Sequence, residues 1–231
     1  MFQVRLDKRF SNGFTMMMNY TFAKSIDYGS GAGTQWPSYT NPNNFQIDRG
    51  LSDFHRTHRF VTSGLWLVPR VFESRALSAI ADGWSLAGVV SAQSGQPFGV
   101  LAGQDNSLTG VGRDRADLIG DPSRTARVDP NRDPVLEWFN TKAFAHSAAG
   151  TFGTSGRNNL FGPMLASVDM SLMKDFRFYR EYSVQFRAEA FNLLNRANFN
   201  LPANRITQGT FGRITSAQDP RILQFALKFK F

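Results

Sequence analysis

The residues from Arg221 to Phe231 alternate. Leu223, Phe225, Leu227, Phe229 and Phe231 share one parity, Gln224, Ala226, Lys228 and Lys230 share the other, and only Ile222 departs. Successive side chains of a strand point to opposite faces, so this segment has one greasy face and one wet face. A half-buried edge strand in a soluble sheet has this pattern too. Five large apolar groups opposed by two lysines fit a wall between lipid and water better. The same period recurs upstream. Phe2, Val4, Leu6 and Phe10 oppose Gln3, Arg5, Asp7 and Arg9, with Lys8 the exception. Asn12-Gly13 is a strong hairpin signal. Beyond it Phe14, Met16, Met18, Tyr20 and Phe22 oppose Thr15, Met17, Asn19, Thr21 and Ala23. A pattern of ambiguous facing covers Arg56–Pro69. Clearer alternation returns over residues 83–96, 164–178 and, after a tight turn at Tyr179–Tyr182, 183–192. Seven strands are predicted.

The connections alternate in length. Residues 11–13 and 179–182 are short. Residues 25–55, 97–163 and 193–219 are long and rich in Gly, Asn and Asp. Residues 70–82 are intermediate, with a helical turn predicted around Ala76–Ala81, and a short helix is predicted over Val135–Phe144. A structureless loop as long as 97–163 is uncommon in a compact domain. Outer-membrane barrels, however, have short periplasmic turns and long extracellular loops. The chain is therefore expected to be all-β: an antiparallel transmembrane β-barrel segment of about seven strands, an incomplete barrel with long extracellular loops. Chain order puts the C-terminus on the periplasmic side of a Gram-negative outer membrane. Phe10, Phe14, Trp66, Trp84, Phe178, Tyr179, Tyr182, Phe229 and Phe231 fall near the short-turn ends, and Tyr20, Phe22 and Phe60 near the others, as two interfacial girdles require. Single-chain bacterial barrels have an even number of strands, and open edges are not viable in lipid. No signal-peptide pattern opens the sequence. The expectation is the end of a larger barrel, with the plug and signal peptide outside these 231 residues.

Composition sharpens this. No apolar run approaches the ~20 residues of a membrane helix, and a barrel strand alternates so that its hydropathy averages out. There is no cysteine, which removes disulfides, thiolate metal sites and a cysteine nucleophile. The net charge of +8 is not a basic block. Ser25–His55 holds three aspartates against one arginine, and Pro97–Pro163 is balanced, so the excess lies in the periodic segments and their short connections. Nucleic-acid binding concentrates charge on a patch with stacking aromatics, and the alternating aromatics here suit it poorly. His55 and His58, with Asp53 near, point to opposite faces if the stretch is a strand, so structural loop contacts fit them better than a metal. Asp129–Asp133 opens like a calcium loop, but Pro134 and Asn140 stand where Gly and Glu are needed. Gly153-Thr154-Ser155-Gly156 has the wrong spacing for a nucleophile elbow. Gly110-Val111-Gly112 lacks the third glycine of a dinucleotide site. No enzyme and no cofactor are expected.

Several stretches together resemble the C-terminal barrel portion of a TonB-dependent outer-membrane receptor of the Oar-like kind. They are Asp48-Arg49-Gly50-Leu51-Ser52-Asp53-Phe54 with His58-Arg59-Phe60, Gly83-Trp84-Ser85-Leu86-Ala87-Gly88, and Gln93-Ser94-Gly95-Gln96-Pro97-Phe98. Trp138-Phe139-Asn140, Gly153–Asn158, Arg187–Asn195 with Asn198-Phe199, and the terminal Phe231 follow in order. The resemblance implies a barrel of about 22 strands around an N-terminal plug, driven through that plug by an inner-membrane TonB complex. It also implies that Leu223, Phe225, Leu227, Phe229 and Phe231 form the signal read by the barrel-assembly machinery. Because the plug and the TonB-contacting box are not in this sequence, transport by this chain alone is not expected. The implied partners are outer-membrane lipid, the assembly machinery, and the rest of the barrel with its plug; no nucleic acid is implied, and the substrate is open.

On the wet parity Arg187, Glu189, Lys228 and Lys230 would face the lumen. Fixed charges there pair with each other or with a plug and bias solutes, and a structural ion-pair ladder is the more economical reading. The alternative to a transporter is a soluble or surface β-sandwich that binds through the same loops, which would need two packed sheets and polar outer positions.

Overall fold

The computed structural model describes residues 1–30, 39–41, 43–69, 82–110, 112–122, 135–179 and 182–231. Seven long strands form one antiparallel meander. They are β1 (Phe2–Ser11), β2 (Phe14–Phe22), β3 (His58–Leu67), β4 (Trp84–Gln93), β5 (Leu165–Tyr179), β6 (Tyr182–Phe191) and β7 (Ile222–Lys230). Each is 9 residues or longer, and roughly 9–11 tilted residues cross a bilayer. The sheet is not closed, and β1 and β7 are its edges. Asn12 and Gly13 both have positive φ, 52° and 75°, which a tight hairpin matching the strand twist demands.

Register turns the sequence alternation into two continuous faces. Phe14, Trp66, Leu86, Leu172, Ala188 and Phe225 form one row across β2 to β7. Arg5, Asn19, Val61, Ser91 and Ser167 form a row on the other side. The pairing settles β3, which the sequence left ambiguous: Phe60, Thr62, Gly64 and Trp66 join the apolar face. That face is bare. Phe225 is 69% and Leu227 74% exposed. No second long sheet packs against it among the described residues, as the β-sandwich alternative would require.

The apolar face carries few polar groups: Thr62 donates its hydroxyl to the Met17 carbonyl, and the ionisable ones lie against aromatic rings. Lys174 is buried, its ammonium 5.2 Å from the centre of the Trp84 ring and 5.0 Å from that of Phe176. Lys8 lies 5.6 Å over Phe14 and donates to Ser11 Oγ. His58 stacks on Tyr20 and shares a hydrogen bond with its hydroxyl. Such cation–ring contacts contribute about 0.5–2 kcal/mol each.

Residues 23–57, 94–164 and 192–221 all leave the sheet at one end, and the tight turns lie at the other. These are the long irregular stretches of the sequence, and they hold local structure of their own. They contain three two-stranded pairs: Ile26–Asp27 with Gly50–Leu51, Pro97–Phe98 with Leu160–Phe161, and Asp117–Leu118 with Phe144–Ala145. They also hold the hydrophobic core. Phe98, Val100, Ala116, Phe139, Ala143, Phe144 and Leu160 cluster there, with Trp138, Ile206 and Phe211 packed against them. The Phe139 ring meets Phe98, Phe144 and Phe211 at centroid distances of 5.7, 5.6 and 5.3 Å. Aromatic contacts such as these add to ordinary burial. No buried hydrophobic residue of the described chain belongs to the long strands.

The short helix predicted over Val135–Phe144 is corrected. Only a 3-10 turn at Thr141–Ala143 forms, capped by the Asn140 side chain. Phe139, Ala143 and Phe144 all belong to the core, with Phe144 in a short strand pair with Leu118. The helical turn expected around Ala76–Ala81 and the Asp129–Asp133 segment lie outside the described residues.

Because the core sits in the loops, it can be lost without the wall. Phe139→Ala is expected to cost about 3–5 kcal/mol of loop stability. Limited proteolysis should then cut residues 94–164 faster, while the protein keeps its heat-modifiable mobility on gels.

Candidate functional site

Two clamps, the first buried and the second half-buried, hold the loops as one cap over the end of the sheet. In the first, Asn44 caps the 3-10 turn Phe45–Asp48 by accepting from the Gln46 amide, which fixes Asp48 at its end. Asp48 is buried and accepts from the Thr40 amide (2.8 Å) and hydroxyl (2.7 Å). Arg115, anchored by a bridge to Leu101, donates Nη1 to Asp48 Oδ1 at 2.9 Å and Nη2 to the Ile47 carbonyl at 2.9 Å. Both side chains of this ion pair are less than a tenth exposed.

In the second clamp, Arg157 Nη1 donates to the Asp27 carboxylate and Nη2 to Ser30 Oγ (2.8 Å) and Asp53 Oδ1 (3.2 Å). Asn158 Nδ2 donates to the Leu51 carbonyl and to Asp53 Oδ1, both at 2.6 Å. A Cβ on Gly50 would come within 2.6 Å of the Arg157 carbonyl oxygen, so glycine lets the two loops touch. The Asp48–Phe54 and Gly153–Asn158 stretches are thus the two halves of one joint.

A third tie is made by asparagines. Asn198 accepts from the Ala166 amide and donates to its carbonyl, taking the place of a neighbouring strand. Asn192 and Asn195, both at φ 50°, hold the turn after β6 by accepting from the Arg196 and Arg221 amides. Asparagine tolerates this left-handed conformation better than most residues.

Where the third tie meets the sheet there is a polar recess of about 240 Å³ among Arg59, Ser91, Gln93, Ser167, Asn198 and Gln218. Arg59, Ser91, Gln93 and Ser167 lie on the polar face. The recess offers hydrogen-bond donors and acceptors beside one exposed guanidinium, which suits a polar or anionic solute.

A family model described as an outer membrane beta barrel domain matches residues 1–224. The chain belongs to that family. No curated protein and no solved structure matches it. In an outer-membrane barrel domain the bare apolar face is the lipid face, and the polar face lines the lumen. The inverted burial follows: a wall between lipid and water has no interior, so the only core forms where loops pack on loops.

The residues singled out from sequence take these positions. Leu223, Phe225, Leu227 and Phe229 lie on the lipid face of β7, paired with Ala190, Ala188, Phe186 and Val184, and Phe231 follows the strand against Phe229. Arg187, Glu189, Lys228 and Lys230 lie on the polar face, in register with Ala226, Gln224, Gln185 and Ser183. Arg187 reaches Glu189 at 3.6 Å, and Lys230 reaches Asp175 at 2.7 Å. Exposed pairs of this kind contribute only ~0–1 kcal/mol. His55 and His58 do not converge. His55 accepts from the Ser25 amide and meets Thr57 Oγ1, whereas His58 turns to Tyr20. Sequence reasoning missed Arg115, Asn198 and the recess. Their partners are 67, 32 and more positions away in the chain, and no periodic signal marks them.

The first clamp makes a sharp prediction. Asp48→Ala leaves a buried guanidinium without its counter-charge and is expected to destabilise the cap by about 3–5 kcal/mol. Asp48→Leu combined with Arg115→Met removes both charges and should restore most of that loss, as read by the denaturant midpoint of loop proteolysis.

Acid should loosen the joint in two stages. Burial, with the charges of Arg56 and Lys24, holds the His55 pKa below its ordinary 6.5. This contribution to stability is present above 6.5 and lost as pH falls through the lowered value. Burial pushes the Asp27 carboxyl up, but hydrogen bonds from Ser30, Arg157 and Ser52 and the Arg157 charge outweigh it and hold it below 3.8. Protection of the Ser25 amide from hydrogen exchange, relative to its intrinsic rate at each pH, should therefore fall first, on acidification below 6.5, and the Arg157–Asp27 joint should open only below 3.8.

Proposed function

We propose that the chain is the C-terminal wall and outer loops of a TonB-dependent receptor, one that takes up a solute across the outer membrane by energy coupling and is not an enzyme. The observation that carries this reading is the combination of a clamped loop cap at one end of the sheet with two open sheet edges. In lipid, the backbone groups along β1 and β7 must be paired. Seven strands is an odd number, whereas single-chain bacterial barrels have an even one. Further strands, supplied by an N-terminal barrel portion, would complete both edges and enclose the lumen for a plug.

In this reading the short turns and the C-terminus face the periplasm and the cap faces outward. Solute would meet the cap and then the recess at Arg59. The TonB complex would act only through the plug, so the chain is not competent alone. Leu223, Phe225, Leu227, Phe229 and Phe231 would be the strand that the barrel-assembly machinery binds, since they present an uninterrupted apolar row at an open edge. Arg187, Glu189, Lys228 and Lys230 would line the lumen chiefly as a structural ion-pair ladder, Arg187 with Glu189 and Lys230 with Asp175.

Fractionation tests the proposal. Membranes from cells making the native protein are extracted, run unboiled and boiled on denaturing gels, and blotted with an antibody to the C-terminal region. The expected result is a heat-modifiable outer-membrane band well above 25.9 kDa. A 25.9 kDa band in the soluble fraction, unshifted by boiling, would overturn it and favour a loop-based binding protein.

A further inference from the structure

The lipid face is not flat. Gly64 and Gly88 are paired across β3 and β4, so two adjacent outward positions carry no side chain. In the same row Met16 pairs with Gly64, and Met170 with Gly88, and these rise on either flank. The result is a groove of about 420 Å³, closed at the short-turn end by Phe14 and Trp66. Its size falls within the roughly 300–1,000 Å³ of ligand sites. Neither glycine is there for positive φ. A Cβ on Gly64 would approach the Thr15 carbonyl oxygen to 3.2 Å and one on Gly88 the Asp169 carbonyl oxygen to 3.3 Å, so any side chain would both fill the groove and crowd the sheet.

One cation stands at the mouth. Lys8 pairs with Met16, and its ammonium extends toward the turn, 5.6 Å over the Phe14 ring and 2.7 Å from Ser11 Oγ. It is exposed and retains donor capacity, since an ammonium has three donors. The other lysine on this face, Lys174, is enclosed by Trp84 and Phe176 and is 4% exposed, which closes it to a headgroup. An apolar slot of acyl-chain character, an aromatic rim and, among the described residues of this face, one accessible positive charge match the three parts of one amphiphile.

We infer that the groove over Gly64 and Gly88 holds one anionic phospholipid of the leaflet at the short-turn end, its acyl chain in the slot and its phosphate on Lys8. A depression in a wall that faces lipid is filled by hydrocarbon in any case. The fixed charge converts a passing chain into a resident one, because juxtamembrane lysines attract anionic headgroups.

The test is lipid retention. The native protein, with the strands that complete its sheet, is extracted from outer membranes in mild detergent, exchanged against phosphatidylethanolamine and phosphatidylglycerol, and weighed by native mass spectrometry, counting only heat-modifiable, folded protein. The wild type is expected to keep one phosphatidylglycerol. Lys8→Glu should lower that retention about tenfold and reverse the headgroup preference. Met16→Trp, which fills the slot from its flank without touching either glycine, should lower retention of both lipids. Phe225→Trp, on the lipid face of β7 away from the groove, should change nothing. Wild-type retention no higher than that of Met16→Trp, or unchanged headgroup preference in Lys8→Glu, overturns the inference.

Discussion

Backbone hydrogen bonding without water is the constraint on which this protein depends. In a bilayer no solvent can satisfy an exposed N–H or C=O, so each strand must lie against another along its length. The meander from β1 to β7 does this with neighbours in chain order, and the register shifts only beside the two tight turns, between Lys8 and Ser11 and between Arg177 and Tyr179. That register decides which side chains meet lipid. A slip of one residue would exchange the faces of a strand entirely, carrying Arg187 and Glu189 into hydrocarbon and Phe186 and Ala188 into the lumen.

The wall gives up what most folds rely on. Neither face of the sheet is covered by protein, and hydrophobic burial against a packed interior is confined to the cap. There the loops use aromatic clustering around Phe139 for cohesion and two arginine clamps for alignment. The buried Arg115–Asp48 pair adds little net stability over an apolar pair of the same shape, because desolvation offsets most of the Coulomb gain. What it supplies is alignment: Arg115 joins Asp48 and the Ile47 carbonyl of one loop to its own loop.

The two parts meet at the recess beside Arg59, while the groove beside Lys8 lies on the opposite face, towards the other end of the sheet. Each combines one accessible cation of the described residues with a surface of matching polarity. The polar recess suits a hydrated solute under the cap, and the apolar groove suits a lipid from the bilayer. The family likeness to outer-membrane barrel domains explains the wall; the solute rests on side chains in the cap that such a likeness does not specify.

The wall was legible in the sequence for a simple reason. A strand between lipid and lumen is read two residues at a time, and residues 2–22, 84–93 and 165–191 and the Leu223–Phe231 row carry that period plainly. The long loops at one end and the tight turns at the other followed from chain order alone. β3 was the exception: Thr62 and Gly64 dilute its apolar parity, and only pairing with Phe14 and Leu86 showed that Trp66 faces lipid. The cap was not legible, and residues 135–144 were misread as helical. Their apolar groups serve a core assembled from distant segments, so no local period governs them. The same holds for Asp48 with Arg115 and Asp27 with Arg157, and for the Gly64–Gly88 groove. In each case the partners were visible as residues, but their meeting was decided by the sheet register and the loop packing, which exist only in three dimensions.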